Sequence, residues 1–428
     1  MPTNQLTLLK QRRFLPLFIT QFLGAFNDNI YKNALVILIT YKLAQEFHLN
    51  AEILITIAAG IFILPFFLFS ATAGQLADKL EKALLIRYTK VIEVILMVVA
   101  CLGFYLHNVY LLMFVLFLLG VQATFFGPLK YSILPDHLKT ENELIAGNAL
   151  IEGGTFLAIL LGTILGGVLI ILNTGPFWVC VATMLVALFG LCSSFWIPKA
   201  GPDDPSLRLN FNLFKETWAI VKYSTEQREV FLSIIGISWF WLVGATYLSQ
   251  FPTYVKDVLL ADAPVVTLFL TLFSVGIGIG SLLCTTLLKG KVHARYLFLA
   301  ALGISLFGLD LVVASYGGAS SAGNLVTLRE FLQSFNHWRI IFDLLFVAIC
   351  GGIYIVPLYV IVQQKSVPGH RSRVIASNNI LNALCMVLAA IGTSLMLAKH
   401  FTVSHVFLVV AVLNFFVAFY VKKLAKWV

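Results

Sequence analysis

Twelve long apolar runs dominate this sequence, at 14–43, 52–77, 84–106, 109–133, 143–171, 176–197, 229–255, 264–288, 294–316, 339–363, 373–398 and 402–421. A membrane-spanning helix needs roughly 20 mostly apolar residues. In lipid, only helices and closed barrels satisfy every backbone polar group. Barrel strands would appear as short segments of alternating polarity, whereas these runs are continuous. Composition agrees, with 60% hydrophobic and 11% charged residues, against about 25% charged in soluble domains. The expected fold is therefore all-α and integral to a membrane, with twelve transmembrane helices. The first run is too long and too charged for a cleavable signal, and more runs follow it.

The distribution of charge sets the topology. With a cytoplasmic N-terminus, the outer segments hold Lys42, Lys256, Arg329, Arg339 and Lys399, and Lys32 and Lys130 fall within spans. The other 22 of the 29 Lys and Arg residues, Lys90 among them, are assigned to the inner side. That bias predicts both termini in the cytoplasm. The net charge of +9 is spread over short loops, which argues against a nucleic-acid partner. The six cysteines sit within apolar runs without metal-ligand spacing, so neither a disulfide framework nor a metal site is expected. No cofactor is expected either.

The longest inner loop divides the chain into a six-helix half at 1–197, a linker at 198–228 and a second half at 229–428. The linker opens with Pro198, Gly201, Pro202 and Pro205. Phe211, Phe214, Trp218 and Val221 then recur at helical spacing. They predict an amphipathic helix, either on the inner leaflet or packed under the bundle. The outer segment 317–337 reads as a flexible external loop. A weak internal repeat relates the halves. Pro128-Leu129 answers Pro357-Leu358 at a separation of 229 residues, and Ala146-Gly147-Asn148 answers Ala376-Ser377-Asn378 at 230. Parallel repeats of this kind place a substrate site near the midplane between the halves.

Ionisable residues inside spans cost about 2.5–3.5 kcal/mol each on insertion scales and need a cavity or a partner. The first half has Asp28, Lys32, Glu93, Lys130 and Glu152; the second has Asp310 and Asp343. Asp28 and Lys32 share a helix face. They either neutralise each other or, with Asn27, Asn29 and Asn33 around them, line a wet cavity. Asn148 and Glu152 share one face of span five, and Asn378 and Asn382 the matching face of span eleven. These either bond between helices or face substrate. Lys130 follows Gly127-Pro128 and either snorkels inward or binds an anion. Glu93 has no evident local partner. Asp343 is expected to pair with Arg339 at the outer surface. Gly74, Asp78 and Arg87 mark the inner end of span two, where Asp78 can cap a neighbouring helix and hold an inner gate closed. Glycines and alanines of spans five, eight and eleven suit either a rocking interface or tight static packing.

With these features the chain resembles the major facilitator superfamily, although Glu81 stands where a small residue is usual. More narrowly it resembles the bacterial lysophospholipid transporter family. Gln21-Phe22-Leu23-Gly24-Ala25-Phe26-Asn27-Asp28-Asn29, Gly127-Pro128-Leu129-Lys130-Tyr131-Ser132, Ala146-Gly147-Asn148-Ala149-Leu150-Ile151-Glu152 and Val356-Pro357-Leu358 with Gln363-Gln364 carry the resemblance. It implies movement of lysophospholipids from the outer to the inner leaflet of a bacterial inner membrane, and no enzymatic activity. It also implies functional coupling to an acyltransferase/acyl-carrier-protein synthetase that restores the second chain. The stretch Gly244–Gln250 lacks the basic residue that the family places in span seven. The implied headgroup site comprises Asp28, Asn29, Lys32, Lys130, Asn148, Glu152, Asn378 and Asn382, with the lysines toward phosphate and the acids toward an ammonium. Phe66, Phe67, Trp239, Phe240 and Trp241 either line an acyl-chain pocket or face lipid. A monomer is expected. A proton-coupled exporter of drugs or small amphiphiles is the alternative. A membrane-embedded acyltransferase lacks support, because no His-x4-Asp pattern occurs.

Overall fold

The computed structural model describes residues 5–40, 51–289, 294–315 and 325–424. Twelve helices of 20 to 31 residues carry these. They are α1 (Leu15–Leu38), α2 (Ala51–Lys79), α3 (Lys82–Tyr105), α4 (Val109–Ser132), α5 (Glu141–Ile170), α6 (Gly175–Ser194), α7 (Arg228–Thr253), α8 (Ala263–Leu288), α9 (Ala294–Ser315), α10 (Phe335–Lys365), α11 (Arg371–Ala398) and α12 (Val403–Leu424). Ten are long and apolar enough to cross a membrane. The other two, α1 and α3, have 24 residues each and carry Asp28 and Lys32, and Lys82, Arg87, Lys90 and Glu93, respectively. Side-chain caps start several helices: Asn108 accepts from Leu111 N–H and Thr140 from Glu143 N–H. Glu81 caps α3 by accepting from Ala83 and Leu84 N–H, and also from Ala200 N–H in the linker. A small residue there could not tie the linker to the helix start.

Packing repeats between the two sets of six. In the first, α1 packs on α5 and α6, α2 on α4, and α3 on α4 and α6; in the second, α7 packs on α11 and α12, α8 on α10, and α9 on α10 and α12. The sets meet where α2 crosses α11 and α5 crosses α8. At the first crossing, a Cβ on Gly74 would lie 2.7 Å from the Ala376 Cβ and 2.9 Å from the Arg373 Cα. Only glycine permits that approach. At the second, Gly153 faces Gly278, whereas Gly162 and Gly166 abut the α1 backbone within the first set. The small residues thus serve both the interface and static packing.

The end of the bundle where α1, α3 and α5 begin is tied shut; we call it the basal end. Asp78 accepts from Ser372 N–H (2.9 Å), at the start of α11, and from Arg373 Nε (2.8 Å). The fully buried Lys82 pairs with Asp136 at 2.8 Å and with Asp203 of the linker at 3.0 Å. Arg371 reaches Asp136 at 3.6 Å and Arg373 reaches Asp204 at 3.8 Å. Burial holds the Asp203 carboxyl above the usual carboxylate range, with Lys82 opposing.

The linker helix (Leu213–Glu226) packs on α2, α7 and α11, so it rests against the bundle. The expected flexible loop at 317–337 lies partly outside the described residues. Its remainder is structured: Leu328–Gln333 is a helix with a Thr327/Glu330 capping box and a buried Phe331.

Candidate functional site

A central cavity lies between the two sets of helices. α2 and α4 each contain a proline, Pro65 and Pro128, which removes a backbone hydrogen bond and bends the helix. Together with α1, α3, α5, α7, α10 and α11 they surround a cavity of about 370 Å³. Asp28, Asn29, Lys32, Phe66, Lys130, Trp241 and Asn382 of the expected site line it, joined by Gln21, Lys90, Gln122, Tyr131, Thr155, Tyr359 and Asn379.

Asp28 and Lys32 do not form the ion pair considered from sequence. Lys32 Nζ sits 4.3 Å from the centroid of the Phe62 ring, and Asp28 Oδ1 has no hydrogen-bond partner. Lys130 Nζ lies 4.6 Å from the Tyr131 ring centroid. Asn29 is anchored by donating to Ala25 O (2.7 Å), and Asn382 accepts from Ser238 Oγ (2.8 Å).

The largest revision concerns Lys90. It was assigned to the inner basic segment, yet its side chain is buried and its ammonium borders the cavity. Lys90 Nζ donates to Glu93 Oε2 at 2.5 Å, so Glu93 does have a local partner. Gln122 Nε2 donates to the same oxygen and Asn27 Nδ2 to Oε1, each at 3.1 Å. A Cβ on Gly24 would lie 2.5 Å from Lys90 Nζ, so glycine in α1 leaves the room this ammonium occupies. The pair lies three apart on one face of α3, a spacing that was visible in the sequence.

Other expected residues lie away from the cavity. Asn148 and Gln363 exchange two hydrogen bonds, at 2.7 and 3.0 Å, and bridge α5 to α10. Asn148 therefore has its amide satisfied between helices. Glu152 sits behind Tyr131, whose hydroxyl donates to Glu152 Oε1 at 2.5 Å, and its Oε2 is unpartnered. Asn378 is buried one turn from the lining residue Asn382. Phe67 faces the outside of α2. Trp239 packs within the second set, where its Nε1 donates to Asn414 Oδ1, and Phe240 packs edge-to-face on Phe156 of α5, 6.0 Å between ring centroids. Arg87 does not reach Asp78; it donates to the carbonyls of Ser194 and Ile197 at the end of α6. Arg339 pairs with Asp310 of α9, so the expected pair with Asp343 does not form, and Asp343 is buried.

Tyr131 of α4 and Tyr359 of α10 stack at 4.3 Å and 9°. Trp241 Nε1 donates to the Tyr359 hydroxyl at 3.3 Å. These three aromatic residues line one side of the cavity. Among the described residues, charged lining groups come from α1, α3 and α4, whereas α7, α10 and α11 supply amides and aromatics.

A family model described as Major Facilitator Superfamily matches residues 17–390. The chain belongs to the major facilitator superfamily. It is thus a multi-pass membrane transporter and not an enzyme. It is 26% identical over 353 residues to the lysophospholipid transporter LplT of Escherichia fergusonii, covering 81% of this chain and 79% of that protein. It is 27% identical over 355 residues to the LplT of Escherichia coli O157:H7 (strain EC4115 / EHEC), with the same coverage. Among solved structures, a bacterial homologue of the iron transporter ferroportin in its outward-facing state has TM-score 0.70 at 14% identity, covering 95% of this chain and 99% of that one. The human organic anion transporter MFSD10 has TM-score 0.73 at 14% identity, with the same coverage. These two share the fold.

Proposed function

We propose that this chain moves lysophospholipids, lysophosphatidylethanolamine and related lysolipids, from the outer to the inner leaflet of the bacterial inner membrane by alternating access, for reacylation. The observation that carries the reading is the one-sided cavity. Lys32, Lys90 and Lys130 border it with Asp28, a set that suits a phosphate beside an ammonium. The relatives named above support the same substrate class. The twelve long helices act as two halves, 1–197 and 229–428, joined by the linker at 198–228. Both termini lie in the cytoplasm on this reading, which the charge bias supports. The chain works as a monomer, and its product feeds an acyltransferase/acyl-carrier-protein synthetase.

Reconstituted vesicles test this with labelled lysophosphatidylethanolamine in one leaflet. Transfer to the other leaflet that depends on the chain and falls in Lys130→Met is the expected result. The unpartnered oxygens of Asp28 and Glu152 favour a second reading, proton-coupled export of small amphiphiles. Drug efflux driven by a pH gradient, without lysolipid transfer, would overturn the first reading in favour of the second.

A further inference from the structure

The linker helix borders the seam where α2 meets α11, with Ile220 and Ser224 buried. Between helix and seam lies an apolar groove of about 310 Å³. Leu213, Thr217 and Val221 form one wall; Phe67 of α2 and Ile380 and Leu384 of α11 form the other. The central cavity lies behind the same two helices, since Phe66, Asn379 and Asn382 face it.

A helix turns about 100° per residue. Going round the linker helix from its packed side, the groove residues come first. Phe214 and Trp218, which line the groove at its rim, follow, 76% and 73% exposed, with Phe211 just before the helix 69% exposed. Lys222 and Lys215, both exposed, come next. Bare aromatic surface of this kind is uncommon on a water-facing helix. Aromatics flanked by lysines are the arrangement of a helix lying in a lipid interface.

We infer that the groove holds one acyl chain of an anionic phospholipid from the surrounding leaflet, with its phosphate at Lys215 and Lys222. An acyl chain gains no hydrophobic energy by leaving neighbouring tails. Selection therefore comes from fit in the groove and from the two lysines, each worth a factor of about five near an anionic surface. Such a lipid wedges the linker helix against the α2–α11 seam.

The test uses the full chain in phosphatidylethanolamine/phosphatidylglycerol vesicles with a trace of phosphatidylglycerol carrying a diazirine on one acyl chain. After photolysis, adducts should concentrate in residues 213–221 and 380–384, at least about fivefold above the lipid-facing surface of α3 at Ile92 and Ile95. Lys215→Gln with Lys222→Gln should lower groove labelling to that of a phosphatidylcholine probe. Thr217→Trp, which fills the groove, should abolish it. Labelling equal to that of α3, or unchanged in these variants, would overturn the inference. Displacement of the probe by lysophospholipid alone would overturn the choice of occupant. Labelling needs no transport, so this result stands apart from the leaflet-transfer assay.

Discussion

Breaking the Lys90–Glu93 pair should cost more from one side than from the other. In Glu93→Gln the Lys90 ammonium loses its carboxylate partner and keeps the Phe126 ring, 5.2 Å to its centroid, and a share in the cavity with Asp28, while Asn27 and Gln122 then face an amide in place of a carboxylate. Removing one partner of a buried pair costs about 3–5 kcal/mol, and this variant should lie in that range. In Lys90→Met the carboxylate keeps both amide donors, so the loss should fall nearer 2 kcal/mol, comparable to one lost charge-assisted hydrogen bond. The double change Lys90→Met/Glu93→Gln removes both charges and leaves a neutral amide facing Asn27 and Gln122. Its loss should be smaller than the sum of the single losses by about 2 kcal/mol. The assay is reversible unfolding in mixed micelles of increasing denaturing-detergent fraction, run on all four proteins. Additive losses, or a Lys90→Met loss exceeding that of Glu93→Gln, would refute the pairing described here. Leaflet transfer on the same set separates folding from binding: if Lys90 also meets substrate, the double variant regains stability without regaining transfer.

Asp78→Ala removes the acceptor for the α11 start, so a cysteine placed at the buried Ile375 should label several-fold faster with a membrane-permeant thiol reagent; an unchanged rate would show that the latch does not hold that end. Tyr131→Phe leaves Glu152 without its hydroxyl donor and should destabilise the fold by about 1–3 kcal/mol, read by the same micelle titration. Asp203 has a folded pKa above its ordinary value because burial disfavours its charge. Its ionisation therefore opposes folding, and stability falls as pH rises from 3.8 through the raised value. Wild type minus Asp203→Asn stability should decline across that window and then level; a rising difference would contradict the burial.

Hydropathy and charge bias made the helices legible, because lipid imposes the same demand on every span. The site was legible in part. Asp28, Lys32 and Lys130 are conspicuous as charges within apolar runs, and all three line the cavity. What failed to show was the choice between neighbours on one helix. Phe66 lines the cavity and Phe67 does not; Trp241 does, while Trp239 and Phe240 do not. A step of 100° separates each residue from the next, and the sequence does not say how each helix is rotated. Partners far along the chain were hidden for another reason. Arg339 lies four residues from Asp343, which made that pair attractive, but α9 brings Asp310 to it from 29 residues away. Asn148 looked like a site residue until Gln363 of α10 satisfied it from 215 residues away.

The confinement of charge to one wall of the cavity has a consequence for motion. On the proposed function, when the two sets of helices separate across a bound head, the ionic contacts travel with α1, α3 and α4 and stay intact. The contacts that must let go are those of Asn379, Asn382, Tyr359 and Trp241. Interhelical hydrogen bonds in a membrane average about 0.6 kcal/mol, so this wall releases its cargo in small steps, and no charge is stranded in a dry crevice as it does so.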